Sequence, residues 1–168
     1  QTSGDFNADG KTDLAVGASG YSSSTGRVYI FNNDGSLPTT AATADSVIIG
    51  EASSNSFASS LASGDLNADG RTDLIVGAGY TSGRGRAYIF NNDGSLPTTA
   101  ATAVMFYTGT ANFSGFGIAF AIGDWNIDGK MDLAIGADAA ASNGRVYLIS
   151  SEVATTSTLP GTFYIKGT

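Results

Sequence analysis

The sequence carries one acidic stretch three times, and this repeat constrains the fold more than any other feature. Each copy has Asp, Asn, Asp and Asp at relative positions one, three, five and nine, with Gly at position six. Asp5 and Asp65 lie 60 residues apart, and Asp65 and Asp124 lie 59 residues apart. A fixed period of this size predicts a chain built from similar supersecondary units.

The polar residues of each copy are spaced like the ligands of a hard cation. Three carboxylates and one amide oxygen come from alternate residues of a tight loop, Gly permits the sharp turn, and the backbone carbonyl at position seven adds an oxygen, as in an EF-hand loop. Carboxylates about 5 Å apart, at an effective dielectric of about 20, repel by roughly 3 kcal/mol. One copy alone would fit a solvated Asp-Gly turn, whereas three complete copies predict three Ca²⁺ ions, one per unit. The predicted ligands are Asp5, Asn7, Asp9, Lys11 and Asp13; Asp65, Asn67, Asp69, Arg71 and Asp73; and Asp124, Asn126, Asp128, Lys130 and Asp132.

Charge and composition exclude several kinds of function. The chain has 15 acidic and 8 basic residues, for a net charge of −7. Nine of the acids are loop aspartates, so three bound Ca²⁺ ions would leave about −1, and the basic face that nucleic acid requires is missing. With no Cys and no His, disulfides and Ser-His-Asp nucleophiles are impossible, and zinc and copper sites lack their usual ligands. No apolar run approaches the roughly 20 residues of a membrane span.

Each unit reads as four short strands and shows no helical period. Apolar, β-branched and aromatic runs bounded by Gly, Ser and Asn predict a strand before the acidic loop, one directly after it and two more beyond. The first two of these strands are apolar on both faces, which predicts that they are central and buried. Four antiparallel strands repeated at this period predict an all-β protein made of β-propeller blades. A dockerin module has a similar loop, but there a helix follows the loop. The predicted units cover residues 1–63, 64–122 and 123–168, and each of the first two includes the first strand of the next blade.

Two further motifs complete the resemblance to a known family. A Phe-Gly pair stands at Phe116-Gly117 and becomes Phe57-Ala58 in the second unit. Gly-Ala pairs end the second strand at Gly17-Ala18, Gly77-Ala78 and Gly136-Ala137, without the proline of the full motif. With the acidic loops, this pattern resembles the FG-GAP repeat family, known from integrin α subunits and from secreted bacterial proteins, and the near-identical units are more similar to the bacterial members. The resemblance implies calcium-stabilised propeller blades in extracellular recognition or adhesion proteins.

The direction of the strands sorts the turns into two rims. In an up-and-down blade the acidic loops share one rim with the turns between the third and fourth strands, which read Asn-Asn-Asp-Gly in the first two units. The resemblance implies ligand binding on the opposite rim, where a protein or glycan would be recognised. Tyr21 and Tyr80 occupy equivalent positions there and are predicted to stack on a sugar or a side chain. Asp34 and Asp93 could form a second metal cluster, but Asp-Gly is a common hairpin signal, and turns are the favoured interpretation.

The favoured function is a non-catalytic, calcium-stabilised extracellular module for adhesion, recognition or assembly of a surface or filament. The alternatives are a carbohydrate-binding propeller of the lectin type and an accessory domain of a secreted hydrolase. Propellers usually close with four to eight blades, and the first unit has only the tail of its first strand, Gln1 to Gly4. We therefore expect further blades from the same parent chain, or from other copies, to complete the ring.

Overall fold

A computed structural model of the chain describes residues 1–36, 38–79, 83–109, 115–138 and 144–150, and the backbone of a strand at 164–166. Within these residues, twelve strands form three four-stranded antiparallel sheets, each built from strands consecutive in the chain. The first sheet contains β1 (Thr2–Gly4), β2 (Asp13–Ala18), β3 (Arg27–Phe31) and β4 (Ser46–Ile49). The second contains β5 (Phe57–Gly64), β6 (Asp73–Ala78), β7 (Arg86–Phe90) and β8 (Met105–Thr108), and the third contains β9 (Phe116–Gly123), β10 (Asp132–Ala137), β11 (Arg145–Ile149) and β12 (Tyr164–Lys166). These three blades confirm the all-β, propeller-blade prediction.

The blades stack through two apolar layers. Because side chains alternate across a strand, Leu74 and Val76 of β6 join the cluster shared with the first blade, while Ile75 joins the cluster shared with the third. Edge-to-face aromatic pairs recur in the two layers, with ring centroids 5.4 Å apart for Phe57 and Tyr88. The second blade is therefore buried on both faces.

One prediction about burial is wrong for the first strand of each blade. β6 is buried along its whole length, but β5 is buried only at Phe57 and Ala58 and is partly exposed beyond them. β9 behaves in the same way after Phe116 and Gly117. Both strands are sheet edges that pair on one side only, and edge position exposes residues that an apolar sequence alone places in a core. As predicted, β1 is short, with three residues against eight in β5.

A bulge marks the Phe-Gly position of the blades. Phe57 pairs with Ala78, whereas Ser60 pairs with Gly77, so the register between β5 and β6 shifts between these pairs. Gly117 takes a φ of +83°, and its counterpart Ala58 takes +67° in the same left-handed region. Gly adopts this conformation without strain, which explains the Gly of the motif and shows that Ala58 is accommodated at a cost.

Short helical turns occupy some connections where the sequence predicted no helix. They are α1 (Tyr21–Ser24) and two 3₁₀ turns, Ala41–Thr43 and Ala100–Thr102. α1 is irregular, because Ser22 and Ser23 have left-handed φ values of +48° and +56°. The two 3₁₀ turns occur at the same place in identical sequences. No helix in the described part of the chain is long and apolar enough to cross a membrane.

The structure confirms the predicted sorting of turns into two rims. The Asn33 N–H donates to Asp13 Oδ1 over 2.8 Å, which joins the turn after β3 to the acidic loop of the first blade. At the other end, the Ser54 N–H donates to the Ser23 carbonyl over 2.9 Å, which joins the connection between blades to the turn after β2. We call the end that carries the acidic loops the loop rim.

Candidate calcium loops

The three acidic loops fold alike because their sequences impose the same backbone turns. Position four is left-handed, with φ values of +60°, +58° and +60° at Ala8, Ala68 and Ile127. Position six has φ values of +82°, +84° and +82° at Gly10, Gly70 and Gly129. Only Gly adopts the φ of about +80° at position six freely, so the turn requires Gly at this position.

Side-chain oxygens of each loop converge around its own backbone amides. In the first loop the two oxygens of Asp5 accept hydrogen bonds from Asp9 N at 3.1 Å and Gly10 N at 2.8 Å. Asn7 Oδ1 accepts from the same Asp9 N at 3.0 Å, and Asp9 Oδ1 accepts from Lys11 N at 2.8 Å. The second and third loops reproduce all four bonds at 2.8–3.1 Å. The loops are thus held in one shape by their own acidic side chains.

The aspartate at position nine is buried in all three blades and anchors its loop to the sheet. Asp13, Asp73 and Asp132 expose only 2%, 0% and 4% of their surface. In the second blade, Asp73 Oδ2 accepts from Leu66 N and Oδ1 accepts from Asn92 N, both at 2.9 Å. These bonds fasten the loop and the following turn to the start of β6.

Electrostatic repulsion within the loop is visible at Asp73. Burial raises the pKa of its carboxyl, and the charges of Asp69 and Asp65 push the pKa in the same direction against the two backbone hydrogen bonds. A cation among these three carboxylates would relieve that repulsion.

The donor set of the loops fits calcium by its chemistry. Each loop supplies carboxylate, amide and backbone carbonyl oxygens and no nitrogen or sulfur ligand, which is the set that Ca²⁺ prefers. The residues at position seven, Lys11, Arg71 and Lys130, would contribute their carbonyls only. Among the described residues, no three acidic side chains already form a metal-holding group, since the carboxylates are turned toward backbone amides. Ligation by the named residues therefore stays a prediction.

The other predicted site residues have separate surroundings. Tyr21 is 41% exposed, and the Arg27 guanidinium lies 3.8 Å from its ring centroid. The Arg27 guanidinium thus covers one face of the Tyr21 ring. Stacking of a ligand on the other face stays a prediction. Tyr80 lies outside the described residues. Asp34 Oδ1 accepts hydrogen bonds from Ser36 Oγ at 2.6 Å and from Ser36 N at 2.8 Å. These two bonds lower the pKa of Asp34, which supports the turn interpretation.

Sequence reasoning missed one residue of the loop rim. The Asn-Asn-Asp-Gly stretch was interpreted as a turn only, yet Asn92 is fully buried and contacts two acidic loops. The signal was its repetition at nearly the same distance after each of the first two loops, since Asn33 lies 20 residues after Asp13 and Asn92 lies 19 residues after Asp73.

Stacked four-stranded blades with an acidic loop between the first two strands define a class of propeller-type repeat protein. Residues 5–76 and 65–135 match the family model for the FG-GAP-like repeat. The chain belongs to this family.

Curated relatives place the same repeats in much larger proteins. The chain is 34% identical to rat phosphatidylinositol-glycan-specific phospholipase D over 159 residues, which cover 85% of the chain and 18% of that protein. It is 33% identical to the human protein of the same name over 160 residues, covering 86% of the chain and 19% of that protein. It is 37% identical to mouse integrin alpha-IIb over 106 residues, covering 57% of the chain and 10% of the integrin. The chain thus spans about a fifth of the length of the phospholipases, and the matching region is a repeat domain.

Two aspartates of the second blade should respond differently to calcium. Replacing Asp69 by Ala removes a central predicted ligand, whereas replacing Asp93 by Ala removes a turn residue outside the loop. A ligand that binds only the folded state stabilises it by about 2.7 kcal/mol at a hundredfold excess over its dissociation constant. In calcium, we expect Asp69→Ala to lower the free energy of unfolding by up to about 2.7 kcal/mol. We expect Asp93→Ala to lower it by less than about 1 kcal/mol. Melting curves with calcium and with chelator measure both, and equal calcium-dependent losses would make Asp93 a metal ligand too.

Proposed function

We propose that this chain is a non-catalytic, calcium-stabilised extracellular propeller module that serves adhesion, recognition or surface assembly. The observation that carries the proposal is the triplicated loop. Three loops, 60 and 59 residues apart, share one backbone shape. In each loop the side chains at positions one, three and five accept hydrogen bonds from the loop's own backbone amides. The three carboxylates of a loop repel one another, and neutral amide side chains could accept similar backbone hydrogen bonds without that repulsion, whereas a calcium site needs the negative charge.

We place the module outside the cell, and this placement sets the calcium affinity that is expected of it. Extracellular calcium modules bind with dissociation constants of about 10⁻⁴–10⁻³ M. Sites of this strength fill only where calcium is near millimolar, which is the condition outside the cell. Similarity to integrin chains over 57% of this chain agrees with an adhesive or recognition role.

The acidic residues outside the loops support a role without catalysis. Glu51 is paired with Arg86 over 2.7 Å, and Asp45 accepts the Asn32 N–H over 2.8 Å. Both carboxylates are thus engaged structurally, and the sequence has no His or Cys. Because the phospholipase relatives are several times longer than this chain, an accessory domain of a secreted hydrolase is the second candidate.

Apolar surface on the first blade supports further blades as partners. Leu74 and Val76 are fully buried between the first and second blades. Their counterparts Leu14 and Val16 lie on the face of the first blade that points away from the second, and both are partly exposed. A blade from the same parent chain, or from another copy, would cover this face. Protein or glycan ligands would then bind on the rim opposite the loops.

Calcium titration tests the proposal. Calorimetry of chelator-treated protein should approach three ions per chain, and calcium should raise the melting temperature. The triple variant Asp9→Ala/Asp69→Ala/Asp128→Ala is the control and should bind no calcium. A plateau at zero or one ion in the unchanged protein would overturn the proposal. A glycan array then separates the lectin alternative from a module without a sugar ligand.

A further inference from the structure

The structure connects the first and second acidic loops through a single buried side chain. Asn92 lies in the turn after β7 and is fully buried. Its side-chain Nδ2 donates to the carbonyl oxygens of Asp5 and Phe6, at 3.3 Å and 3.2 Å. These two residues hold positions one and two of the first loop, so a residue of the second blade fixes the backbone of the first blade's loop.

The same residue is attached to the second loop by its backbone. The Asn92 N–H donates to Asp73 Oδ1 over 2.9 Å, and Asp73 Oδ2 accepts from Leu66 N over 2.9 Å. Asn92 Oδ1 accepts from Gly94 N over 3.2 Å, which fixes the orientation of the side-chain amide. The side-chain amide of Asn92 thus donates to the first loop, while the backbone N–H of the same residue donates to the second loop.

The connection is continuous between the two buried aspartates. Phe6, whose carbonyl Asn92 holds, donates its own N–H to Asp13 Oδ2 over 2.9 Å. A chain of three hydrogen bonds therefore joins Asp13 to Asp73. It runs from Asp13 to Phe6, from Phe6 to Asn92 and from Asn92 to Asp73. Burial strengthens such bonds and makes a broken one costly, so the position of one aspartate affects the position of the other.

We propose that Asn92 is a positioning residue that couples calcium binding at the first loop to calcium binding at the second. This inference rests on the proposed calcium sites. An ion in the second loop adds a further bond to Asp73, which two backbone hydrogen bonds already hold, and Asp73 in turn holds the Asn92 N–H. Asn92 then holds the Asp5–Phe6 backbone in the shape that binds calcium. Because the first loop is already ordered, the ion that binds there has less ordering cost to offset, and its affinity is higher. By linkage the coupling is reciprocal, and couplings between sites are typically about 5–150-fold in affinity.

Asn33 provides a matched control in the same protein. It occupies the corresponding turn of the first blade, and its N–H donates to Asp13 Oδ1 over 2.8 Å. Its Oδ1 accepts from Gly35 N over 3.3 Å, as Asn92 Oδ1 accepts from Gly94 N. Unlike Asn92, however, Asn33 is exposed. Replacing either Asn by Asp keeps size, backbone bond and turn acceptor. Only Asn92→Asp removes a bond between loops, and because it also buries a new charge against the Asp5 and Phe6 carbonyl oxygens, the uncharged Asn92→Ala is needed beside it.

Site-resolved calcium titration by NMR tests the coupling. The glycine amides at position six, Gly10 and Gly70, donate to the position-one carboxylates over 2.8 Å, so each reports its own loop. Asp69→Ala weakens the second site, and we expect it to shift the Gly10 midpoint to about tenfold higher calcium. In the Asn92→Asp background Asp69→Ala should leave the Gly10 midpoint unchanged, whereas in the Asn33→Asp background the shift should persist. Asn92→Ala repeats the test, and circular dichroism establishes that each variant is folded.

The outcomes separate this inference from the proposed function. If the glycine amides respond to calcium but Asp69→Ala leaves the Gly10 midpoint unchanged in the otherwise natural sequence, the coupling is overturned and the calcium sites stand. A shift that persists in both Asn92 variants also overturns it, since another path would then carry the coupling. If no glycine amide responds to calcium, the proposed function fails and the coupling with it.

Discussion

Replacing Asp73 by Ala should lower the free energy of unfolding by about 2–6 kcal/mol even without calcium. The substitution removes both oxygens that accept from Leu66 N and Asn92 N at 2.9 Å. Each buried donor left without a partner costs about 1–3 kcal/mol. Since whole domains are stable by only about 5–15 kcal/mol, the variant should lose a large share of its stability.

Urea unfolding of the Asp73→Ala variant, followed by circular dichroism in calcium and in chelator, measures this effect. Asp73→Asn should be milder, because an amide oxygen retains one acceptor and the neutral side chain avoids the burial penalty that raises the pKa of Asp73. Asp34→Ala is the exposed control, since it removes an aspartate that accepts hydrogen bonds only in a surface turn. A loss at Asp73→Ala no larger than that at Asp34→Ala would show that the buried carboxylate does not anchor the loop.

The second large effect is expected at Gly77, where the second and third blades approach backbone to backbone. A Cβ at this position would collide with the Gly117 carbonyl oxygen and with Ser60 Oγ. The carbonyl belongs to β9 and moves only if the blades separate. We expect Gly77→Ala to destabilise the protein by about 1–3 kcal/mol, the usual range for overpacking.

Gly136 is the matched control, because it occupies the corresponding position in the third blade. There the nearest atom to an added Cβ would be Ala119 Cβ, at the ordinary contact distance of 3.4 Å. Gly136→Ala should therefore be neutral or stabilising by up to about 1 kcal/mol, since Ala restricts the unfolded chain. Urea midpoints of the two variants test the close approach of the blades, and equal midpoints would contradict it.

The elements that the sequence predicts best are those encoded within one unit. Continuous runs of apolar residues after each acidic loop predict β2, β6 and β10, and the 3₁₀ turns are the main local feature that this pattern missed. The shape of the loops follows from the Asp, Asn and Gly spacing, because the hydrogen bonds within a loop join residues at most seven apart.

The features that the sequence does not predict are those that depend on packing between blades or on pairing between strands. Asn92 and Asp5 are 87 positions apart, and no local pattern reveals that stacking brings them together. The partial exposure of β5 follows from its place at a sheet edge. The left-handed conformation of Ala58 likewise follows from the register shift against β6. Tyr21 and Arg27 were predicted in separate elements, a turn and a strand, and only the fold of the turn places the guanidinium over the ring.

The most direct test of the account is a crystal structure of the protein grown in calcium, with anomalous scattering used to locate the ions. The account predicts three calcium peaks, one in each acidic loop, with oxygen ligands at about 2.3–2.6 Å. In the second blade these ligands should come from Asp65, Asn67, Asp69, the Arg71 carbonyl and Asp73. Loops that keep their shape without a calcium peak at millimolar calcium would contradict the central claim.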